Sequence, residues 1–384
     1  MSLGDLQAVV ADTVFDGKKC HKHAGVLIDG SRISRILPRD EIPRNVAVRV
    51  LPDGLWLAPG FIDLQVNGGG DVLFNDAPTP ETISTIARAH RKFGTTGFLP
   101  TLITDTPEKT RAAVAAVQTA MQTEPSVLGL HLEGPFLSLE RAGVHDRSLF
   151  RQPTSDDVEM LTSARRGVLL VTLAPEQVPP GFIRRLTSAG VCVSLGHSNA
   201  TYAQTGAAID EGLTGFTHLF NAMRPLASRE PGPIAAALET PACSYGLIVD
   251  GVHVDSAMLR LALRGVGRPM LVTDAMPPVG GTRSSFILYG EEIAVRDGRC
   301  VGDDGTLAGA YLDMASAVRN CVRLLGVPLA RALSFASANP ARFVNLDTQV
   351  GALAPGLRAD MVALDPDKIE VLETWVAGVS QTAA

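Results

Sequence analysis

No stretch of the 384 residues reaches the ~18 consecutive apolar residues that a bilayer span requires. Cysteine is scarce. Cys20, Cys192, Cys243, Cys300 and Cys321 are odd in number, widely spaced and without a C-x-x-C pair, which argues against a disulfide framework and against a zinc ribbon. Lysine is nearly as scarce: Lys18, Lys19, Lys22, Lys92, Lys109 and Lys368 are the whole set. Lys plus Arg is 34 against 40 for Asp plus Glu, a net charge of −6, so the bulk charge of a general nucleic-acid binder is missing. A local basic pocket can still hold a small anion. Asp5 and Asp12 interrupt the apolar N-terminus, which does not read as a signal peptide. What is present is 46% apolar and 19% charged residues, the balance of a globular protein. A cytoplasmic enzyme is the expectation.

The length corresponds to roughly two to three average domains, although an α/β barrel often takes ~250 residues as one unit. Both ends read as β-rich and punctuated by turns, with Asp29-Gly30 as a strong turn signal near the start. Between them, apolar strand-like runs recur at 55–66, 97–103, 127–132, 168–173, 191–195, 215–220, 244–249 and 270–272. Amphipathic stretches such as 80–93, 107–121, 200–211 and 256–264 separate them. Strands alternating with helices imply βαβ units and a parallel sheet. Eight repeats predict an α/β fold, a (β/α)8 TIM-type barrel, over residues 56–344. Residues 1–55 and 345–384 are expected to form a small β-sandwich domain. A hairpin insertion is expected near 283–305, with turns at Tyr289-Gly290 and Asp297-Gly298, and two helices, 313–325 and 328–337, are expected after the eighth strand.

Barrel chemistry sits at the C-terminal ends of the strands. Four of the eight histidines, His131, His197, His218 and His253, fall there, and His145 lies in the loop after strand 3. His21, His23 and His90 read as surface residues. Glu133, His197 and His218, from three strands, form the N/O ligand set of a catalytic metal site with a position left open for water. Backbone carbonyls and Asn199 are candidate partners for the ligating imidazoles. Asp274 ends the last strand and is followed by Pro277-Pro278 and Gly280-Gly281, so it caps no helix and suits a general base.

These segments resemble the N-acetylglucosamine-6-phosphate deacetylases of the amidohydrolase superfamily. The resemblance rests on Pro59-Gly60-Phe61-Ile62-Asp63, His131-Leu132-Glu133-Gly134-Pro135, Gly196-His197-Ser198-Asn199-Ala200, Thr217-His218-Leu219-Phe220-Asn221-Ala222, Asp250-Gly251-Val252-His253, Val272-Thr273-Asp274 and Leu307-Ala308-Gly309. It implies that Glu133, His197 and His218 bind the metal, that Asp274 is the acid/base with His145 as a second catalytic group, and that Val144, His145, Asn221, Ala222, Arg229, His253, Leu307, Ala308 and Gly309 contact substrate. Gln65 and Asn67 stand where many amidohydrolases carry His-x-His, and no lysine ends a barrel strand. One divalent ion is therefore expected, zinc first, with Fe2+, Co2+ or Mn2+ as alternatives, and Gln65 would hold water beside it. The implied reaction is hydrolysis of the acetamide of N-acetylglucosamine 6-phosphate to glucosamine 6-phosphate and acetate by a homodimer. Arg229 and His253 would hold the phosphate, with Arg224 as an alternative. N-acetylgalactosamine 6-phosphate, or a deaminase reaction on the same fold, are the competing expectations.

Overall fold

The computed structural model describes residues 6–163 and 165–382. Eight parallel strands form one sheet in sequential order: β1 (Phe61–Val66), β2 (Thr95–Ile103), β3 (Gly129–Glu133), β4 (Val168–Leu173), β5 (Cys192–Leu195), β6 (Gly215–Phe216), β7 (Ser244–Leu247) and β8 (Arg268–Leu271). The ring closes just beyond β8, where Val66 and Ala275 form a parallel bridge and the amide of Asp274 donates to the carbonyl of Gln65 at 3.0 Å. The strands are buried along their length because helices cover the outside, which is why they read as continuous apolar runs. Helix starts follow ordinary capping chemistry. Thr79 and Thr106 cap helices that begin with proline, and Thr201 makes a reciprocal capping box with Gln204. Among the described residues, no helix is long and apolar enough to cross a membrane.

The termini build a second, eight-stranded mixed sheet. The first strand, Leu6–Phe15, pairs with Cys20–Asp29 along its whole length and with two different strands on its other edge. Gln7–Val10 meets Ala47–Val50, and Thr13–Val14 meets Trp56–Leu57. The sheet bends there and encloses its own apolar core, which joins Val26, Ile28 and Ile33 from one end of the chain to Met361, Ala363 and Trp375 from the other.

Several local expectations change. The run at 55–66 is two strands in two sheets, since Trp56–Pro59 pairs with Met361–Leu364 and Phe61–Val66 enters the barrel. Gly60 is the break, and a Cβ there would lie 2.1 Å from Thr96 Oγ1. The strand expected over 215–220 ends at Phe216, because His218 and Phe220 adopt φ of 29° and 80°. The insertion is a four-stranded antiparallel sheet running from Ser285 to Ala310, with the expected turns at Tyr289-Gly290 and Asp297-Gly298. Three helices follow it, not two, the third being Ala338–Phe343. His90 is a correction: it is fully buried and its Nε2 meets the carbonyl oxygen of Gly68 at 2.9 Å.

Asp63 ties the last strand to the first. Its carboxylate accepts from the Gln65 and Thr273 amides, both at 3.2 Å, and from Thr273 Oγ1 at 2.5 Å. Burial raises its pKa to about 7 despite these donors. A free aspartate titrates near ~3.9. A pKa raised on folding means that stability is lost as pH rises from the unfolded value through the folded one. Asp63→Asn keeps the shape and removes the ionisation. The variant should therefore gain stability relative to wild type between about pH 4 and about pH 7, as read by urea unfolding at both ends of that window. A difference that stays flat with pH would exclude ionisation of Asp63 as the cause.

Candidate active site

The C-terminal ends of the barrel strands enclose a cavity of about 300 Å3. Glu133, at the end of β3, His197, just past β5, and His218, just past β6, point into it and are all buried. Glu133 Oε1 lies 3.1 Å from His197 Nε2 and 3.0 Å from His218 Nε2, and the two Nε2 atoms are 3.1 Å apart. Ligand atoms on a tetrahedral zinc at ~2.0–2.2 Å lie about 3.3–3.6 Å from one another, so these three edges, a few tenths of an ångström shorter, need only a small outward shift to take one small cation. His197 Nδ1 donates to the carbonyl of Arg141 at 2.9 Å, which leaves its Nε2 lone pair facing the same point. Burial pushes the Glu133 carboxyl up, but its bonds to His197 and His218 outweigh this and hold it well below the usual range. An anionic oxygen between two imidazole nitrogens fits a divalent ion. Of the two expected kinds of partner, a backbone carbonyl holds His197 and Asn199 does not. Asn199 instead accepts from the guanidinium of Arg141 at 3.3–3.4 Å.

Asp274 follows β8 and lines the cavity with φ of 52°. Its Oδ1 accepts from Asn67 Nδ2 at 2.6 Å and from Gln65 Nε2 at 3.1 Å, while Gln65 Nε2 also reaches both oxygens of Glu133 at 3.2–3.3 Å. Gln65 thus bridges the ligand set and the acid/base candidate. Burial, and then the charge of Glu133, raise the pKa of Asp274, with His218 and Asn67 opposing. His145 packs against His197 with ring centroids 4.4 Å apart. Its Nδ1 lies 2.8 Å from Thr104 Oγ1 and 3.4 Å from the Thr104 amide nitrogen, which fixes the plane of the ring. Burial and His197 lower the His145 pKa to about 3, which keeps the ring neutral. His131 lies below the ligands as a neutral barrel plug, bonded to Thr101 and Thr172, its pKa lowered by burial to about 4.

Of the other expected contacts, Val144, Asn221, Ala222, His253, Leu307 and Gly309 line the cavity. Asp250 Oδ2 accepts from His253 Nδ1 at 2.6 Å and sets the orientation of that ring. Gly309 has φ of 59°, and a Cβ there would lie 2.9 Å from the carbonyl oxygen of Asp274, so only glycine lets this strand pass so close. Ala308 is turned the other way, into the apolar cluster of Leu73, Ile103, Met276 and Phe286. Arg229 is exposed and outside the cavity, and neither it nor Arg224 appears among the described residues lining it.

The composition did not single out Glu176. Its Oε2 accepts from Ser198 Oγ at 2.7 Å and its Oε1 from the Asn199 amide at 2.6 Å. These bonds clamp the turn after His197, whose φ of 48° is one of several left-handed values at this mouth. Such positions cost about 1–3 kcal/mol each and persist only where neighbours hold them. The signal was its place at the end of β4, where barrel chemistry sits. Glu176→Ala should lower metal affinity about 10- to 100-fold, measured by competition with a chelator of known affinity. Unchanged affinity would leave the clamp a purely local feature.

The amidohydrolase family profile matches residues 56–381. The chain is 44% identical over 326 residues to an N-acetylgalactosamine-6-phosphate deacetylase of Shewanella sp. (strain ANA-3), covering 84% of this chain and 82% of the relative. A crystal structure of N-acetylglucosamine-6-phosphate deacetylase from Pasteurella multocida superposes with a TM-score of 0.95 at 36% identity, covering 98% of this chain and all of that one. An aspartate-to-alanine mutant of the Mycobacterium smegmatis N-acetylglucosamine-6-phosphate deacetylase, in complex with N-acetylglucosamine 6-phosphate, matches with a TM-score of 0.88 at 35% identity, covering 98% and 99% of the two chains.

Proposed function

Because this chain belongs to the amidohydrolase family, we propose from that premise that it is a deacetylase which hydrolyses the acetamide of N-acetylglucosamine 6-phosphate to glucosamine 6-phosphate and acetate. The observation that carries the reading is the meeting of Glu133, His197 and His218 at 3.0–3.1 Å within one cavity that Asp274 also lines. In this assignment those three residues hold one divalent ion, with zinc first and iron, cobalt or manganese as alternatives. Such an ion supplies polarisation of the acetyl carbonyl and lowers the pKa of water toward ~7.

The protein's own groups do the rest. Asp274 takes a proton from the attacking water and returns it to the amine nitrogen as the C–N bond breaks. The amides of Gln65 and Asn67 keep its carboxylate aimed. His145, neutral in this cavity, is assigned to the carbonyl oxygen where negative charge grows. Asn221 and the backbone at Ala222 face the sugar hydroxyls, and Gly309 admits the acetyl group.

The phosphate needs a cation that the described lining does not provide as Lys or Arg. Arg229, exposed in the loop after β6, is assigned to it together with His253. A homodimer in which a second copy brings Arg229 over the cavity would meet that need. A cytoplasmic setting fits a substrate whose phosphate dianion does not cross membranes.

The 44% identity to an N-acetylgalactosamine-6-phosphate deacetylase favours that sugar as the second reading. Acetate release by the metal-loaded protein, compared across both N-acetylhexosamine 6-phosphates and the unphosphorylated sugars, tests both. Rapid turnover of one 6-phosphate and little turnover of the plain sugars is the expected result. Release of ammonia without acetate would make it a deaminase and overturn the proposal.

A further inference from the structure

A cavity of about 610 Å3 lies away from the candidate active site, within the ~300–1,000 Å3 range of small-molecule sites. The turn after the first strand and the strand at Arg35–Ile36 form one wall, and Ala338, Arg342, Asp347, residues 350–355 and Leu357 form the other. Arg342 also lines a neighbouring cavity with Cys192, Ser244 and Arg268, the first residues of β5, β7 and β8. The cavity therefore belongs to the N-terminal end of the barrel, opposite the Glu133 mouth.

Its charge is unlike that of the rest of the protein. In a chain of net charge −6, it gathers Lys18, Lys19, His21, Arg35 and Arg342 against Asp16 and Asp347. Both carboxylates are already engaged. Asp16 accepts from the amides of Lys18 and Lys19 at 2.8 and 2.9 Å and from His21 Nε2 at 2.6 Å. Asp347 meets Arg342 Nε at 3.4 Å. Among the described residues, Lys18, Lys19 and Arg35 form no ion pair. Cations gathered without counter-ions repel one another, and an anion between them relieves the repulsion. The remaining wall is apolar, with Ile36, Leu353 and Leu357. Lys18, Lys19 and Arg35 are solvent-exposed and stand at the open side of the cavity, where three cations suit a compact dianion.

We propose that this cavity is a second ligand site that takes a small organic phosphate, its dianion held by Lys18, Lys19 and Arg35 and its less polar body lying on Ile36, Leu353 and Leu357. The occupant would link the terminal sheet to the tail of the barrel, and so raise the melting temperature.

Adenosine monophosphate is the probe, with adenosine and inorganic phosphate as its two halves, titrated calorimetrically into the full metal-loaded chain. Binding of the monophosphate, with each half at least about tenfold weaker, is expected. Replacing Lys18, Lys19 and Arg35 together by alanine should weaken that binding at least about tenfold while acetate release is unchanged, and Arg229→Ala should leave it intact. No binding, or equal binding by the triple variant, would overturn the site. Loss of binding in Arg229→Ala alone would place the probe in the candidate active site and overturn it equally. Inorganic phosphate binding as tightly as the monophosphate would overturn the apolar half of the assignment.

Discussion

Asp274→Asn is expected to cut kcat by about 10³-fold and to leave KM for the 6-phosphate nearly unchanged, within the ~10²–10⁴ range of general acid–base contributions. The substitution isolates one property. Asparagine has the shape of aspartate, and its oxygen can still accept from Asn67 and Gln65, which bond the native Oδ1 at 2.6 and 3.1 Å. It also tolerates the left-handed backbone at this position, φ 52°, better than most residues. The cavity, the ligand set and the fold should therefore persist, which an unchanged melting temperature and metal content would verify. What disappears is a group able to take a proton from water and give it to the departing amine. Steady-state acetate release decides the matter: a loss below about tenfold would mean that another group moves the proton.

The residues of that argument were readable in the sequence because a barrel converts one-dimensional position into three-dimensional convergence. Glu133, His197, His218 and Asp274 each follow an apolar run, and the C-terminal ends of parallel strands share one mouth. Other features leave no such trace. The run 55–66 is apolar on both sides of Gly60, so periodicity cannot tell that its halves enter different sheets. The third trailing helix, Ala338–Phe343, contains Pro340, which reads as a boundary when its covering partners are unknown. His90 was legible but misread. It stands seven residues after Ile83 and four after Ile86, on the inward stripe of the helix Pro80–Arg91. Arg229 marks a different limit: its loop is fixed by sequence order, but whether it covers a cavity depends on how the chain is assembled.

Glu133→Gln should abolish metal retention, lowering bound metal from about one per chain to below about 0.1 after dialysis against metal-free buffer, with activity down by at least about 10³-fold. The reasoning rests on charge, not on shape. Glutamine can occupy the same buried volume, and its oxygen can still accept from Gln65 Nε2, now 3.2–3.3 Å from both carboxylate oxygens. The Thr104 hydroxyl bonds the backbone carbonyl of residue 133 at 3.2 Å and is unaffected. What is lost is the anionic oxygen that faces His197 Nε2 and His218 Nε2, and a neutral amide is a poor substitute toward a divalent cation. Chelation of the wild-type protein should remove activity reversibly, so that added zinc restores it, whereas zinc added to the variant should restore little. Elemental analysis provides a readout independent of turnover. One equivalent of metal in Glu133→Gln after dialysis, with a rate near that of the wild type, would show that the ion is held by other residues, and would remove Glu133 from the ligand set.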